Sequence, residues 1–144
     1  MPAILLAMPL PYPTLGPCPC GSGRSYGACC GSLHRGEREA ATPEELMRSR
    51  SSAYALRDTA YVRRTWHPGT CPPDLDLEDD EARYLGLTVH RAEGDEVTFT
   101  AVLRVGGRTH RLRERSTFAR LEGRWVYVDG VTPGSEGTAG ASGP

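Results

Sequence analysis

Four of the five cysteines of this 144-residue chain lie in one short stretch, which constrains the fold more than any other feature. The stretch runs from Pro17 to Gly31, and its cysteines are Cys18, Cys20, Cys29 and Cys30. Four thiolates can surround one tetrahedral Zn²⁺, which binds sulfur at about 2.3 Å. The two pairs can reach one metal only if the glycine-containing loop between them curls back on itself. We expect one structural zinc ion per chain, because a closed four-sulfur site has no open position for a substrate.

Two other uses of a cysteine cluster are open at this point. Disulfides are typical of small secreted domains, but the rest of the chain is poor in cysteine and nothing in it reads as an export signal. An iron–sulfur cluster is less favoured, because the spacings differ from both ferredoxin patterns. Cys71 has no cysteine or histidine at ligand spacing and is expected to be a non-ligand thiol. We expect the cytoplasm as the compartment, since reduced thiols favour zinc there.

The cysteine stretch and several later segments resemble known sequences. The string Cys-Pro-Cys-Gly-Ser-Gly, followed by Cys-Cys-Gly, resembles the SEC-C motif, the zinc knuckle at the C-terminus of the preprotein translocase ATPase. Four later segments resemble the YchJ family: 45–54, 65–68, 114–118 and 123–130. The resemblance covers residues 17 to about 130. It implies a nuclear transport factor 2-like cone, in which helices cover the concave face of a curved antiparallel sheet.

A helix start follows the knuckle. Thr42 is a candidate N-cap, Pro43 fits the first helical position and Glu45 completes a capping box. Apolar residues at helical spacing predict that this helix continues to about residue 57. A shorter helix is predicted over residues 58–66, because Pro-Gly follows at 68–69.

The second half of the chain alternates apolar and polar residues, which predicts antiparallel strands. Leu85, Leu87 and Val89 are expected on one face, and a three-residue loop at 93–95 is expected to place Val89 opposite Phe99. Two-residue hairpin signals at 106–107 and 122–123 fix the register of the strands that they join. The predicted partners on the covered face are Leu103 with His110, Phe99 with Glu114, Phe118 with Tyr127, and Ser116 with Asp129.

Helices followed by an antiparallel sheet predict an α+β fold, with an N-terminal zinc knuckle ahead of the cone. The expected organisation is a disordered tail over 1–16, the knuckle over 17–34, the cone over 42–131 and a disordered tail over 132–144. Residues 1–16 are apolar but too short to span a bilayer, and they lack the basic start of a signal peptide. No membrane partner is expected.

The predicted register brings ionisable residues onto the apolar face of the sheet. A buried carboxylate needs a partner, and Arg48 and Arg50 on the covering helix are candidates. One interpretation is an internal ion-pair network that fixes helix against sheet, and the other is a ligand pocket. The candidate pocket residues are Arg48, Arg50, Tyr54, Trp66, His67, His110, Glu114, Ser116, Tyr127 and Asp129.

Three functions compete. The favoured one is a zinc-binding adaptor, whose knuckle binds a protein partner of unknown identity and whose cone is a scaffold or a small-molecule pocket. The first alternative is a small-molecule isomerase, dehydratase or hydrolase that uses a carboxylate–histidine pair in the cone. The second is a nucleic-acid-binding or ribosome-associated protein. It is less favoured, because net charge is −1 and no aromatic residues are interleaved with the strand arginines.

Overall fold

The structure, a computed structural model, describes residues 12–78 and 81–132. Within these residues the helices are α1 (Cys30–His34), α2 (Pro43–Ala55) and α3 (Thr59–Arg64). The strands are β1 (Arg83–Glu93), β2 (Glu96–Val105), β3 (Arg108–Leu121) and β4 (Arg124–Val131). Most of the two expected tails, 1–11 and 133–144, lies outside the described residues. Among the described residues, no helix combines the length and apolar character needed to cross a bilayer.

The described part of the expected N-terminal tail is folded against the knuckle. The Gly27 N–H donates to Thr14 O at 2.8 Å, and the Tyr26 N–H donates to Gly16 O at 2.8 Å. The ring of Tyr12 packs edge-on against the ring of Tyr26, with 5.3 Å between centroids. Residues 12–16 therefore pack against the knuckle, whose predicted first residue is 17.

The caps of α2 explain where this helix begins and ends. Thr42 Oγ1 accepts the Glu45 N–H at 3.1 Å, so the predicted N-cap is confirmed. Glu45 Oε1 accepts the Ala41 N–H at 2.7 Å, one residue before the partner expected in a capping box. The helix ends at Ala55, two residues earlier than predicted, because Arg57 adopts a left-handed backbone with φ 58°.

Helix α3 is shorter than the sequence predicts because the chain after it joins the sheet. Asp58 caps its N-terminus, where Oδ1 accepts the Tyr61 N–H at 3.1 Å. Backbone bonds then connect the exit from the helix to β4. Tyr127 N–H donates to Thr65 O at 2.8 Å, and His67 N–H donates to Tyr127 O at 2.7 Å.

The four strands form one antiparallel sheet in the order β1-β2-β3-β4, so the predicted α+β class is confirmed. The two-residue loop at 106–107 sets the β2–β3 register as predicted, with Phe99 opposite Glu114 and Leu103 opposite His110. Between β3 and β4 the predicted pair of Phe118 and Tyr127 also forms.

Two bulges in β1 change the predicted face of one residue and the predicted loop. A register shift at Leu85 turns that side chain to solvent, 54% exposed, so its predicted inward position is wrong. Val89 does pair with Phe99, but the hairpin loop has two residues, not three. A second register shift after Val89 adds one residue to β1, and this extra residue compensates for the shorter loop.

A third bulge corrects the predicted position of Asp129. The β3–β4 register shifts between Thr117 and Phe118, so Ser116 lies opposite Gly130 and Thr117 lies opposite Asp129. The predicted pair of Ser116 and Asp129 is therefore wrong. Asp129 is exposed on the face of the sheet that the helices leave uncovered.

Helix α2 packs between two apolar clusters. The cluster against the sheet contains Leu46, Met47, Val97, Phe99, Ala101, Leu103 and Phe118. The cluster on the other side contains Leu33, Ala53, Tyr61, Val62 and Leu77. Because both sides of α2 are covered, its polar residues Ser49, Arg50 and Ser52 are buried as well. This burial places an arginine inside the cone.

Candidate functional site

The knuckle is a tight hairpin followed by α1. Pro17 and Ser25 form an antiparallel bridge across the hairpin. Gly21 and Gly23 have φ of 80° and 87°, a left-handed conformation that favours glycine, and they turn the loop back on itself. The hairpin thereby brings the first cysteine pair beside the second pair, at the start of α1.

The four cysteine sulfurs form a compact buried cluster. Their Sγ atoms all lie within 4.8 Å of one another, and none of the cysteines is in a disulfide. The Sγ atom of Cys29 lies 3.7 Å from that of Cys20 and 4.0 Å from that of Cys30. A tetrahedron with metal–sulfur bonds of 2.3 Å has sulfur–sulfur edges of about 3.8 Å. The cluster therefore fits one tetrahedral metal ion with an all-sulfur donor set.

Hydrogen bonds among the thiols spread their proton affinities apart. The pKa of Cys20 is lowered, chiefly because it accepts hydrogen bonds from the Cys18 and Cys30 thiols. Hydrogen bonding to Cys20 raises the pKa of Cys18 to about 11. The Ser22 hydroxyl lies 3.2 Å from Cys29 Sγ, where it can donate to a thiolate. Metal binding must release the remaining thiol protons, so it is coupled to pH.

His34 joins the knuckle to the cone. Burial lowers its pKa, so the neutral ring is favoured. Its Nδ1 accepts from the Tyr26 hydroxyl at 2.6 Å, and its Nε2–H donates to Ser49 O in α2 at 2.8 Å. Its ring also packs on Tyr61 of α3, with 4.6 Å between centroids. The adjacent Leu33 is 2% exposed within the second apolar cluster.

Arg48, a predicted pocket residue, contacts the knuckle instead of the sheet. Its Nη1 donates to Cys20 O at 3.2 Å, and its Nε pairs with Glu44 Oε2 at 3.1 Å. It lies on the side of α2 that faces the cysteine cluster. Arg48 therefore cannot neutralise a carboxylate inside the cone, and that part of the predicted ion-pair network is wrong.

A cavity of about 50 Å³ lies between α2 and the concave face of the sheet. Six predicted pocket residues line it: Arg50, Tyr54, Trp66, Glu114, Ser116 and Tyr127. The other lining residues are Met47, Ser51, Tyr84, Phe99 and Ala101. The space is of the order of a few water molecules. Its walls are largely apolar and aromatic, with one carboxyl group and one guanidinium group among them.

Glu114 is the buried carboxyl group of this cavity, 5% exposed. Its Oε2 accepts hydrogen bonds from the Ser116 hydroxyl at 2.7 Å and from the Tyr127 hydroxyl at 3.1 Å. Burial raises the pKa of Glu114, while these hydrogen bonds and the charge of Arg50 oppose the rise. Within the described chain, Oε1 has no hydrogen-bond partner.

Arg50 is the buried cation, 3% exposed. Its guanidinium lies over the adjacent rings of Trp66 and Tyr127, at 4.9 and 4.5 Å from their centroids. Its Nη1 donates to Val62 O at 2.9 Å and to Thr65 Oγ1 at 2.8 Å. It forms no ion pair with any carboxylate of the residues described. The expected Arg50–Glu114 salt bridge is therefore absent from this part of the chain, and aromatic rings and neutral oxygens hold the cation.

Gly130 makes room for the Glu114 carboxyl group. A Cβ built on Gly130 would lie 1.9 Å from Glu114 Oε2 and 2.4 Å from its Cδ. No other residue type fits there without moving the carboxyl group. The bulge turns Asp129 out of the cone and places Gly130 opposite Ser116. The cone therefore has room for the Glu114 carboxyl group at the position where the sequence predicted the carboxyl group of Asp129.

The two predicted histidines lie outside the cavity. His67 Nδ1 accepts the Gly69 N–H at 2.9 Å, in the exposed loop after α3. His110 pairs with Leu103 near the β2–β3 hairpin and is exposed. Among the described residues the cavity thus lacks the carboxylate–histidine pair on which the enzyme hypothesis depends.

Comparison with family models identifies both parts of the chain. Residues 17–32 match the SEC-C motif. Residues 42–130 match the model described as YchJ, middle NTF2-like domain. The chain belongs to the YchJ family. The predicted nuclear transport factor 2-like fold and the SEC-C motif are confirmed by these matches.

Two relatives of this YchJ-family chain cover more than four fifths of it. A UPF0225 protein of Deinococcus radiodurans is 62% identical over 119 residues, which cover 82% of this chain and 91% of that protein. A UPF0225 protein of Ralstonia nicotianae is 52% identical over 140 residues, covering 86% and 96%.

Two solved structures have the same fold. The solution structure of a SEC-C motif containing protein from Rhodopseudomonas palustris is 38% identical, with a TM-score of 0.71 over 81% of this chain and 98% of that one. The crystal structure of a SEC-C motif containing protein from Psychrobacter arcticus has a TM-score of 0.63 at 23% identity, over 81% and 82%.

Several cavity residues of this YchJ-family chain escaped the sequence prediction, although a signal for some was present. Met47 and Ser51 lie at helical spacing from the predicted residues Arg50 and Tyr54, which assigns one stripe of α2 to the cavity. Phe99 and Ala101 share the inner face of β2 and were predicted there as core. Gly130 had no sequence signal, because nothing local marks the bulge before it.

Replacing Glu114 with glutamine is expected to change how stability depends on pH. The raised pKa lets the folded chain keep the Glu114 proton to a higher pH than the unfolded chain does. Its contribution is therefore fully present below the unfolded pKa, about 4.3, and is lost as pH rises through the folded pKa. Glu114→Gln should gain stability relative to wild type with rising pH, whereas exposed Glu96→Gln should not. Urea unfolding between about pH 4 and 8 measures both, and identical pH profiles for the two variants would contradict the assignment.

Proposed function

We propose that this chain is a zinc-knuckle adaptor, in which the metal orders a protein-binding surface and the cone carries it. The supporting observation is the closed geometry of the cysteine cluster, whose four residues are at most 7% exposed. A metal enclosed by four sulfurs has no open position for a substrate, so its role is structural. The hydrogen bonds of His34 and Arg48 then hold the ordered knuckle in one orientation on α2.

Zinc is the proposed metal because the donors are four sulfurs. Thiolates favour zinc, copper(I) and iron–sulfur clusters, and a tetrahedral four-thiolate set is typical of structural zinc. Metal binding would require thiols that are both reduced and deprotonated. Cysteines stay reduced in the cytoplasm, which is the proposed location.

The proposed partner-binding surface is a groove between the knuckle and the first turns of α2. It encloses about 350 Å³, and both Cys29 and Arg48 line it. Its rim carries Arg38 and Glu45, whose side chains pair at 2.5 Å. A rim with both charges suits a protein surface better than a polyanion, since a polyanion requires a basic surface.

The alternative functions have weaker support. The enzyme hypothesis in its carboxylate–histidine form lacks its histidine, since His67 and His110 both lie outside the cavity. The nucleic-acid hypothesis rests on Arg111, Arg113 and Arg115, which are exposed on the outer face of β3. The neighbouring β2 residues on that face are threonines and Val102, so stacking partners for bases are not offered there.

A photo-crosslinking amino acid at Ala41 tests the adaptor proposal. Ala41 is exposed and lines the groove, and Arg113 is equally exposed on the outer face of the sheet. In the native host we expect one discrete protein adduct from the Ala41 position and none from the Arg113 position. The Ala41 adduct should disappear when Cys29→Ser removes the metal. Adducts at Arg113 alone, RNA in the adduct, or an Ala41 adduct that persists without metal would each refute the proposal.

A further inference from the structure

The cone cavity has two polar groups whose hydrogen-bonding capacity is only partly used, and they belong to different elements. Arg50 reaches it from α2, and Glu114 reaches it from β3. Buried polar groups in proteins are nearly always paired, so the unused Oε1 of Glu114 and the unused N–H groups of Arg50 in one cavity point to a molecule that fills it. This cavity is separate from the knuckle groove, and the inference does not depend on the adaptor role.

The Glu114 hydrogen bonds determine where its proton resides. Oε2 already accepts from Ser116 and Tyr127, so a proton on the carboxyl group is placed on Oε1. Burial favours this protonated form. In that form Oε1 becomes a hydrogen-bond donor, while its other oxygen remains fixed by the two hydroxyl groups.

Arg50 supplies the second set of donors. Only Nη1 is used, by Val62 O and Thr65 Oγ1, and its Nη2 and Nε groups have no acceptor among residues 12–78 and 81–132. The Trp66 and Tyr127 rings contact each other, with 5.0 Å between centroids, so they do not enclose the guanidinium on both sides, and an acceptor can bind at its unused N–H groups. A buried cation with no counter-charge is costly, and a bound anion would neutralise it.

We propose that the cone cavity binds a short-chain monocarboxylate, whose oxygens accept hydrogen bonds from Arg50 and from Oε1 of protonated Glu114. Planar carboxylate oxygens match the edge of a guanidinium group. The apolar side chains of Met47, Phe99 and Ala101 would contact the short alkyl part. One cation, apolar walls and about 50 Å³ of space suit a small monoanion better than a phosphate dianion.

Nuclear magnetic resonance of the two indole N–H groups tests this proposal on the full zinc-loaded chain. Trp66 lines the cavity and Trp125 does not, so one residue reports binding and the other is an internal reference. Sodium lactate should shift the Trp66 resonance saturably and leave the Trp125 resonance in place. Lactamide has the same shape without the charge and should shift neither. Trp125→Phe assigns the two signals.

Two substitutions separate the cavity from the rest of the surface. Ala101→Leu should fill the cavity and abolish the lactate shift, whereas Val102→Leu, on the opposite face of β2, should leave it unchanged. Arg50→Met should weaken lactate binding at least about tenfold, since it removes the charge and its donors. If Arg50→Met does not fold, Ala101→Leu and lactamide still decide the question. No saturable Trp66 shift, equal shifts with lactamide, or unchanged lactate binding in Ala101→Leu would overturn the proposal.

Discussion

Replacing Cys29 with serine is expected to abolish metal binding and to disorder the knuckle. Cys29 Sγ lies within 4.0 Å of two other cysteine sulfurs, so three thiolates cannot close the site without it. Structural zinc contributes about 10–16 kcal/mol of apparent binding free energy in small knuckles, which have little core of their own. Zinc content measured on purified protein should fall from one per chain to near zero.

Cys71→Ser is the matched control for this loss. Cys71 lies outside the cluster, and its thiol donates to the adjacent Pro72 carbonyl at 3.6 Å. Zinc content and melting temperature should both match wild type. Equal zinc in Cys29→Ser and wild type, or loss of zinc in Cys71→Ser, would contradict the four-cysteine assignment.

Loss of the metal is also expected to weaken the cone without unfolding its sheet. The sequence alone predicts a cone that melts independently of the knuckle. In the structure, Leu33 is buried in the cluster of Ala53 and Val62, and His34 bonds to Ser49 O. Losing a buried leucine costs about 2–5 kcal/mol, which lowers the melting temperature on the order of 10 °C in a domain of this size.

Thermal melts with and without a chelator measure this coupling. The expected result is one cooperative transition at lower temperature, with strand signals retained at 25 °C. An unchanged melting temperature would show that the cone is independent of the knuckle, as the sequence alone predicts. Complete unfolding at 25 °C would show that the knuckle is part of the cone's only stable core.

The parts of the fold that local rules determine were predicted correctly. Thr42 as N-cap, the hairpin at 106–107 and the alternation in β2 each depend on residues close in sequence, so their outcome can be read from the chain. The cysteine cluster belongs to the same class, since its ligands lie within thirteen residues. The sequence therefore predicted the cysteine cluster and the β2–β3 register from short-range patterns.

The errors arise where long-range packing decides. The predicted faces of Leu85 and Asp129 were wrong because of β-bulges. Each bulge shifts the register by one residue and turns a side chain to the opposite face of the sheet. Arg48 was assigned to the cone because helical spacing alone does not reveal that the knuckle covers one side of α2. Arg50 was expected to pair with a carboxylate, but the rings of Trp66 and Tyr127 contact its guanidinium instead. Short-range patterns did not reveal these contacts, because the two aromatic residues are distant from Arg50 in sequence.

Replacing Gly130 with alanine is expected to cost about 3 kcal/mol or more of stability. The added methyl group would lie 1.9 Å from Glu114 Oε2, so the carboxyl group must leave its hydrogen bonds with Ser116 and Tyr127. The cost is steric, because the Gly130 backbone is outside the left-handed region. Gly86→Ala is the matched control in β1, since no atom of the described chain lies within 4 Å of its Cβ position. It should change stability by less than about 1 kcal/mol.

A double-mutant cycle with Glu114→Ala tests whether the cost of Gly130→Ala arises from this one contact. With the carboxyl group removed, the new methyl group enters space that Glu114 vacated, so Gly130→Ala should cost less than about 1 kcal/mol in that background. The coupling energy, from urea unfolding of the four proteins, should then be about 2–3 kcal/mol. If the β3–β4 register were the one predicted from the hairpin alone, Asp129 would face Ser116 and Gly130 would point out of the cone. Gly130→Ala would then be mild in both backgrounds and the coupling would vanish, so a coupling near zero would refute the bulge that gives the cavity its single carboxyl group.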